Sequence, residues 1–108
     1  MAFQLGASLL EACVLALLER EDTYGYILTQ NIRSVIEISE STLYPVLRRL
    51  QKEECLSTYD MPCQGRNRRY YQITPTGLER LEHYRMDWTE YKNKVDLVLS
   101  GGKEHECK

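Results

Sequence analysis

This sequence predicts a mainly α chain with one small β-hairpin and a long final helix. Three observations carry that expectation. Residues 39–54 hold an apolar stripe at helical spacing. Residues 56–59 and 69–73 alternate as strands do. From Thr74-Pro75 onward, apolar residues return every three or four positions for about 26 residues. A chain of 108 residues suffices for one domain with a modest core and not for two. Hydrophobic content of 43% with 28% charged residues is that of a soluble globular protein. Glu11 interrupts the apolar run from Leu9 to Leu18, and Glu19 and Arg20 end it, so no membrane span is expected. The N-terminus has no basic flank of a signal peptide. The expectation is a cytoplasmic protein without a membrane partner.

The first helix is expected from Leu5 to Glu19 and is apolar nearly all round, through Leu9, Leu10, Cys13, Val14, Leu17 and Leu18. That breadth implies burial on more than one side, part of it against a second subunit. Glu21-Asp22-Thr23 separates it from a second helix over Tyr24 to Val35, with Asp22 or Thr23 as N-cap. Ile27, Leu28, Ile32 and Val35 are expected inward, and Gly25 in the first turn suggests close approach of another backbone.

A short connection leads to the third helix, with Ser39 as N-cap and Ile38 stapling onto Leu43. Leu43, Val46, Leu47 and Leu50 form its inner stripe. Ser41, Tyr44, Pro45, Arg48 and Lys52 then face out, with Arg49 on the flank. Pro45 lies deep enough to tighten or kink the first turn. Two helices joined by a short turn, the second outward-facing and basic, follow helix-turn-helix logic.

Leu56–Tyr59 and Arg69–Ile73 are the expected strands, joined by a long turn-rich segment from Asp60 to Arg68. This is a wing. A lone hairpin is marginal in water, so it must pack on the helices, with Tyr59, Tyr71 and Ile73 as candidates for the packed face. Thr74-Pro75 starts the last helix cleanly, and Gly101-Gly102 stops it after Ser100. Leu81, Tyr84, Trp88, Tyr91, Val95 and Val98 make a heptad seam, on a helix of ~39 Å that outreaches a core built from the rest of the chain. A second copy is expected to cover it. Residues 1–74 thus form a winged helix-turn-helix unit, residues 75–100 a dimerisation helix in the same compact domain, and residues 101–108 a disordered tail.

Net charge is −2, which by itself speaks against a nucleic-acid partner. The distribution reverses that. Residues 1–40 carry net −4 and residues 73–108 net −1, while residues 41–72 carry +3. That basic third holds Arg48, Arg49 and Lys52 of the third helix and Arg66, Arg68 and Arg69 near the wing tip, where cations can reach phosphates or a minor groove. Cys13, Cys55, Cys63 and Cys107 form no Cys-x-x-Cys pair, and His83 and His105 match no zinc spacing. Unpaired thiols are expected, with an approach of Cys55 to Cys63 across the hairpin as the minor alternative. No cofactor is called for. Paired carboxylates, a nucleophile with its base and a metal set are all lacking, so an enzyme is not expected.

These residues resemble the PadR-type transcriptional regulators, in the short class without a separate C-terminal domain. The resemblance rests on Leu9-Leu10-Glu11 before Val14-Leu15-Ala16-Leu17-Leu18, on Thr23-Tyr24-Gly25-Tyr26, and on Ser41-Thr42-Leu43-Tyr44-Pro45 with Leu47, Arg48, Arg49 and Leu50. It continues through Gly65, Arg68-Arg69-Tyr70-Tyr71 and Thr74 with Gly77, and spans Gly6 to Val98. It implies a dimeric winged helix-turn-helix protein, usually a repressor, released from a pseudo-palindromic duplex DNA operator by a small effector. Ser41, Thr42, Tyr44 and Arg48 would then lie at the major groove, Arg49 and Lys52 near the backbone, and Arg66, Arg68 and Arg69 would be wing contacts. Trp88 is similar to a tryptophan that stacks planar ligands near the two-fold axis of multidrug-sensing members, and two copies could line a central cavity. Plain interface packing is the other reading of Trp88.

Two positions depart from that family. Glu54 stands where glycine is usual after the third helix, which costs about 1–2 kcal/mol if the backbone there is left-handed. Lys92 stands one turn beyond Trp88, where drug-sensing relatives present an acid, and this argues against a cationic ligand. A winged-helix module that binds protein instead of DNA is the alternative function, and net acidity permits it.

Overall fold

The computed structural model describes residues 7–101. Leu5, His105, Cys107 and most of the expected disordered tail lie outside them. The order is α1 (Ala7–Arg20), β1 (Thr23–Tyr24), α2 (Gly25–Arg33), α3 (Glu40–Lys52), β2 (Leu56–Cys63), β3 (Arg66–Ile73) and α4 (Pro75–Leu99). The strands form one antiparallel sheet in the order β1-β3-β2. This is a winged helix-turn-helix, with α2 and α3 as the helix pair, β2 and β3 as the wing and α4 as a long appended helix. Its extents of 66 × 26 × 21 Å reflect how far α4 projects.

The core forms where the apolar stripes meet. Val14 and Leu15 of α1, Leu28 of α2, and Leu43, Leu47 and Leu50 of α3 are fully buried, with Leu56, Tyr71 and Leu81 closing the wing and α4 against them. The other side of α1, through Leu9, Cys13 and Leu17, is only half-buried. The breadth read from its sequence is therefore real, and this chain covers one side of it.

The start of α2 departs from the sequence expectation. Tyr24, not Asp22 or Thr23, is its N-cap, without a side-chain cap. The reason is β1: Thr23 and Tyr24 stay extended to pair with Tyr71 and Tyr70, a third strand that two residues are too few to announce. The helix ends at Arg33, which leaves Val35 82% exposed instead of inward. Gly25 does admit a close neighbour, but it is the Tyr44 phenol and not a backbone; a methyl at Gly25 would lie 2.7 Å from the Tyr44 hydroxyl.

Ser39 is the N-cap of α3 in backbone terms, and its carbonyl accepts from both Thr42 and Leu43 at 3.1 Å, the tight first turn expected ahead of Pro45. Its hydroxyl meets the Ser41 and Thr42 hydroxyls instead of a helix N–H. The helix closes in a Schellman turn, in which Cys55 N donates to Leu50 O at 2.8 Å and Glu54 N to Gln51 O at 3.0 Å. Glu54 occupies the left-handed position with φ 64°, so the departure from glycine carries its strain. The turn is the seat of α4. Thr74 caps that helix by accepting from Gly77 N at 3.0 Å, and it donates to Glu54 O at 2.6 Å. Any side chain at Gly77 would collide with the Cys55 carbonyl.

The wing is more regular than its composition suggested. Its ladder runs unbroken from Leu56 opposite Ile73 to Cys63 opposite Arg66. Gln64 and Gly65 alone make the turn, with φ 53° and 80°, the signature of a two-residue type I′ hairpin. Pro62 is tolerated because β2 is an edge strand. Cys55 and Cys63 consequently sit at opposite ends of β2, about 26 Å of extended chain apart, and cannot approach each other. Burial pushes the Cys55 thiol above its usual range. Tyr71 and Ile73 pack on the core as expected, but Tyr59 does not. It lies on the other face, stacked on Tyr70 at 5.5 Å, and donates to Asp22 at 2.7 Å.

Candidate nucleic-acid interface

Two elements, α3 and β3, place the cations of the basic third. On α3, the inward stripe fixes what remains outside: Ser41, Thr42, Arg48 and Lys52 are exposed. Tyr44, expected to face out, is half-buried, because its ring leans on the core cluster and on the gap left by Gly25. Arg48, Arg49 and Lys52 border one shallow depression with Gln51 and Glu53. Arg49 is not a free cation. Its Nε donates to the Glu11 carboxylate at 2.8 Å, and its side chain remains 40% exposed.

On the wing, Arg66 is exposed beside the turn. Arg69 meets Asp60 at 3.7 Å, a solvated pair that contributes little. Arg68 lies with its guanidinium carbon 4.7 Å from the centroid of Tyr24, while Tyr24 packs edge-on against Tyr70 at 5.4 Å. A row of three tyrosines across the sheet therefore supports the arginine, at a site worth about 0.5–1 kcal/mol if exposed and more if desolvated. Sequence reasoning missed this row, since Tyr24 joins it only through β1. A cleft of about 260 Å³ gathers Tyr44 with Arg66, Arg68 and Arg69, between the start of α2, α3 and the wing. Of the α3 residues expected at a groove, the structure brings Tyr44 into this cleft with the wing arginines, while Arg48, Arg49 and Lys52 border the separate depression on α3.

A second concavity lies on the other side of the head. Leu9, Cys13 and Ala16 of α1 face Leu81, Tyr84, Arg85 and Trp88 of α4 across an apolar groove of about 410 Å³. Trp88 is 39% exposed in it, and its ring lies 6.1 Å from Tyr91. Along the seam, Leu81 is buried, Tyr84, Tyr91 and Val95 are half-buried, and Val98 is 76% exposed. Lys92 does not line this groove and pairs with Asp96 at 3.8 Å. Arg85 is the charged liner, tied to Glu19 at 2.9 Å and Glu82 at 3.2 Å.

The sequence reading also passed over Glu11. Among the described residues it is the one buried charged side chain, 6% exposed. One oxygen accepts from Arg49 and the other from the Tyr84 hydroxyl. Burial and this bond push the Tyr84 phenol well above the usual tyrosine range. The signal was present, since Glu11 alone breaks the apolar run of α1.

Comparison with known proteins agrees with this architecture. The profile of the transcriptional regulator PadR-like family matches residues 14–83. A Streptococcus mutans protein of known crystal structure is 39% identical, with a TM-score of 0.87 over 98% of this chain and 100% of that one. A PadR-like transcriptional regulator from Bacillus cereus is 34% identical, with a TM-score of 0.82 over 91% of this chain and 98% of its own. A transcriptional regulator of Mycobacterium tuberculosis is 34% identical over 78% of this chain and 76% of its own length. A profile spanning most of the chain, and relatives this similar over nearly their whole length, make this protein a member of the PadR-like family of transcriptional regulators.

Proposed function

We propose that the protein is a dimeric, sequence-specific DNA-binding regulator, most simply a repressor released by a small planar effector. The observation that carries this reading is the concentration of cations on α3 and the wing, where Arg48, Arg49 and Lys52 border one depression and Arg66, Arg68 and Arg69 share a cleft with Tyr44, in a chain whose remainder is acidic. In this reading α3 enters the major groove. Ser41, Thr42, Tyr44 and Arg48 meet base edges, while Arg49, Lys52, Arg66, Arg68 and Arg69 meet the backbone or an adjacent minor groove. Phosphate contacts supply most of the affinity, and the few groove residues choose the sequence. The open side of α1 and the seam of α4 are the surfaces for a second copy. Two recognition helices in a two-fold dimer read half-sites one duplex turn apart, ~34 Å, so the operator is a pseudo-palindrome. The groove beside Trp88 suits a planar aromatic effector.

The test is fluorescence anisotropy with the duplex upstream of the protein's own gene against a scrambled duplex, at two salt concentrations. Tighter binding to the native duplex, weakening steeply as salt rises, is the expected result. Arg48→Ala combined with Arg66→Ala should abolish it. Failure to bind any duplex, including those selected from random pools, would overturn the DNA reading in favour of a protein partner. For the effector, a planar aromatic probe should quench Trp88 emission and weaken DNA binding together; a titration that changes neither rejects that part.

A further inference from the structure

Glu11 is costly where it stands. A buried carboxylate loses several kcal/mol of hydration, and replacing a buried ion pair with apolar residues of similar volume is often neutral or stabilising. Stability alone therefore does not account for it. What distinguishes its position is connectivity. Its two oxygens join a side chain of α3 to a side chain of α4 through α1. The α4 partner, Tyr84, is also a wall of the apolar groove, and the α3 partner, Arg49, borders the basic depression.

We infer that Glu11 is a positioning residue linking the groove to the DNA-reading helix, with Tyr84 setting how it holds Arg49. This rests on the DNA-binding reading above. While the Tyr84 hydroxyl occupies Oε1, the carboxylate takes Arg49 through Nε at Oε2, and the side chain stays 40% exposed, within reach of a phosphate. When Tyr84 turns away, Oε1 is released. The carboxylate then accepts from Nε and a terminal nitrogen together, the fork geometry that arginine and carboxylate favour. The guanidinium is drawn inward and one phosphate contact is lost per protomer. A molecule seated in the groove against the Tyr84 ring would produce that change without touching α3.

The experiment is a double-mutant cycle on the full chain, using anisotropy on its tightest-binding duplex across a salt series. Tyr84→Phe keeps the ring and removes the hydroxyl. It should weaken DNA binding roughly three- to tenfold and lower the magnitude of the salt slope by about one per protomer. Arg49→Gln should do the same, and the double variant should be no weaker than either single one. Glu11→Gln cannot fork an arginine as a carboxylate does. It should bind DNA at least as well as the parent and make Tyr84→Phe silent. Multiplying effects of Tyr84→Phe and Arg49→Gln, or weakened binding with an unchanged salt slope, would overturn the coupling and leave Glu11 a structural pin. If Tyr84→Phe proves poorly folded, Glu11→Gln decides alone: a loss of affinity as large as that of Arg49→Gln rejects the inference. Arg48→Ala separates the two failures. A parent protein that binds no duplex has failed the DNA reading, and Arg48→Ala with unchanged binding has failed the placement of α3 on DNA; should Arg48→Ala abolish binding while the cycle stays additive, the coupling alone has failed.

Discussion

From α1 to the wing, the chain closes its core with its own side chains. Val14, Leu15, Leu28, Leu43, Leu47 and Leu50 expose nothing. Along α4 the same chain stops doing so. Only Gly77 and Leu81 of that helix are buried, and beyond them Trp88, Leu97, Val98 and Leu99 are 39%, 47%, 76% and 79% exposed. The difference separates two uses of apolar residues. In the head they stabilise the monomer. On the far part of α4, among the described residues, Leu97, Val98 and Leu99 stay largely open to solvent, an apolar end of the kind that marks an interaction surface.

The largest effect should come from the closed region. Leu47→Ala removes a side chain packed on every side and is expected to cost about 2–5 kcal/mol, read as a lower urea midpoint with an unchanged slope. A cost below about 1 kcal/mol would break the contrast, because the head would then be no better packed than the projecting helix.

Much of that contrast could be read in advance. Leu43, Val46, Leu47 and Leu50 recur at helical spacing, and all four are buried. Thr74-Pro75 announced a cap that is made as expected. What escaped depended on partners distant in sequence. Thr23-Tyr24 are extended because β3 lies beside them, and nothing local to two residues can say so. Asp60 to Arg68 have the composition of a loop, yet most of them continue a ladder, because the turn at Gln64-Gly65 sets the register of the residues on both sides. The cations of the interface were legible as a charge cluster. That Arg49 is held by Glu11, and Arg68 by a tyrosine row, follows from tertiary placement alone.

The joint between the two regions gives a smaller effect of opposite sign. Glu54 takes a left-handed backbone at the turn where α4 sits. Glu54→Gly should raise stability by about 1 kcal/mol, less than the strain it removes, because glycine also loosens the unfolded chain. Thermal melts at one protein concentration test this. No gain would mean that the bonds to Thr74 already hold the turn without strain.

Smaller again is an alkaline limb. Burial raises Tyr71, and burial together with Glu11 raises Tyr84, above the ordinary tyrosine value of 10.0. A folded-state value raised in this way contributes stability that is complete below about pH 10 and fades as pH climbs past it. Melting temperature should accordingly be flat across neutral pH and fall above about pH 10. In Tyr84→Phe the fall should be shallower, because one of the raised phenols has gone; an identical fall would take Tyr84 out of the account.

The smallest expected change in intrinsic stability is also the sharpest test of the contrast. Val98→Ser with Leu99→Ser alters two side chains that this chain leaves 76% and 79% exposed. At protein concentrations low enough for monomers, unfolding should shift by no more than about 0.5 kcal/mol, as for other surface substitutions. In the proposed dimer those residues have a second copy over them. Sedimentation should then show weaker self-association, and the melting temperature, which rises with concentration in the parent, should rise less in the variant. A large loss at low concentration would mean that the end of α4 supports its own head. Unchanged association would move the dimer contact away from this end of the helix, toward α1 and the part of the seam around the groove, near Leu81, Tyr84 and Trp88.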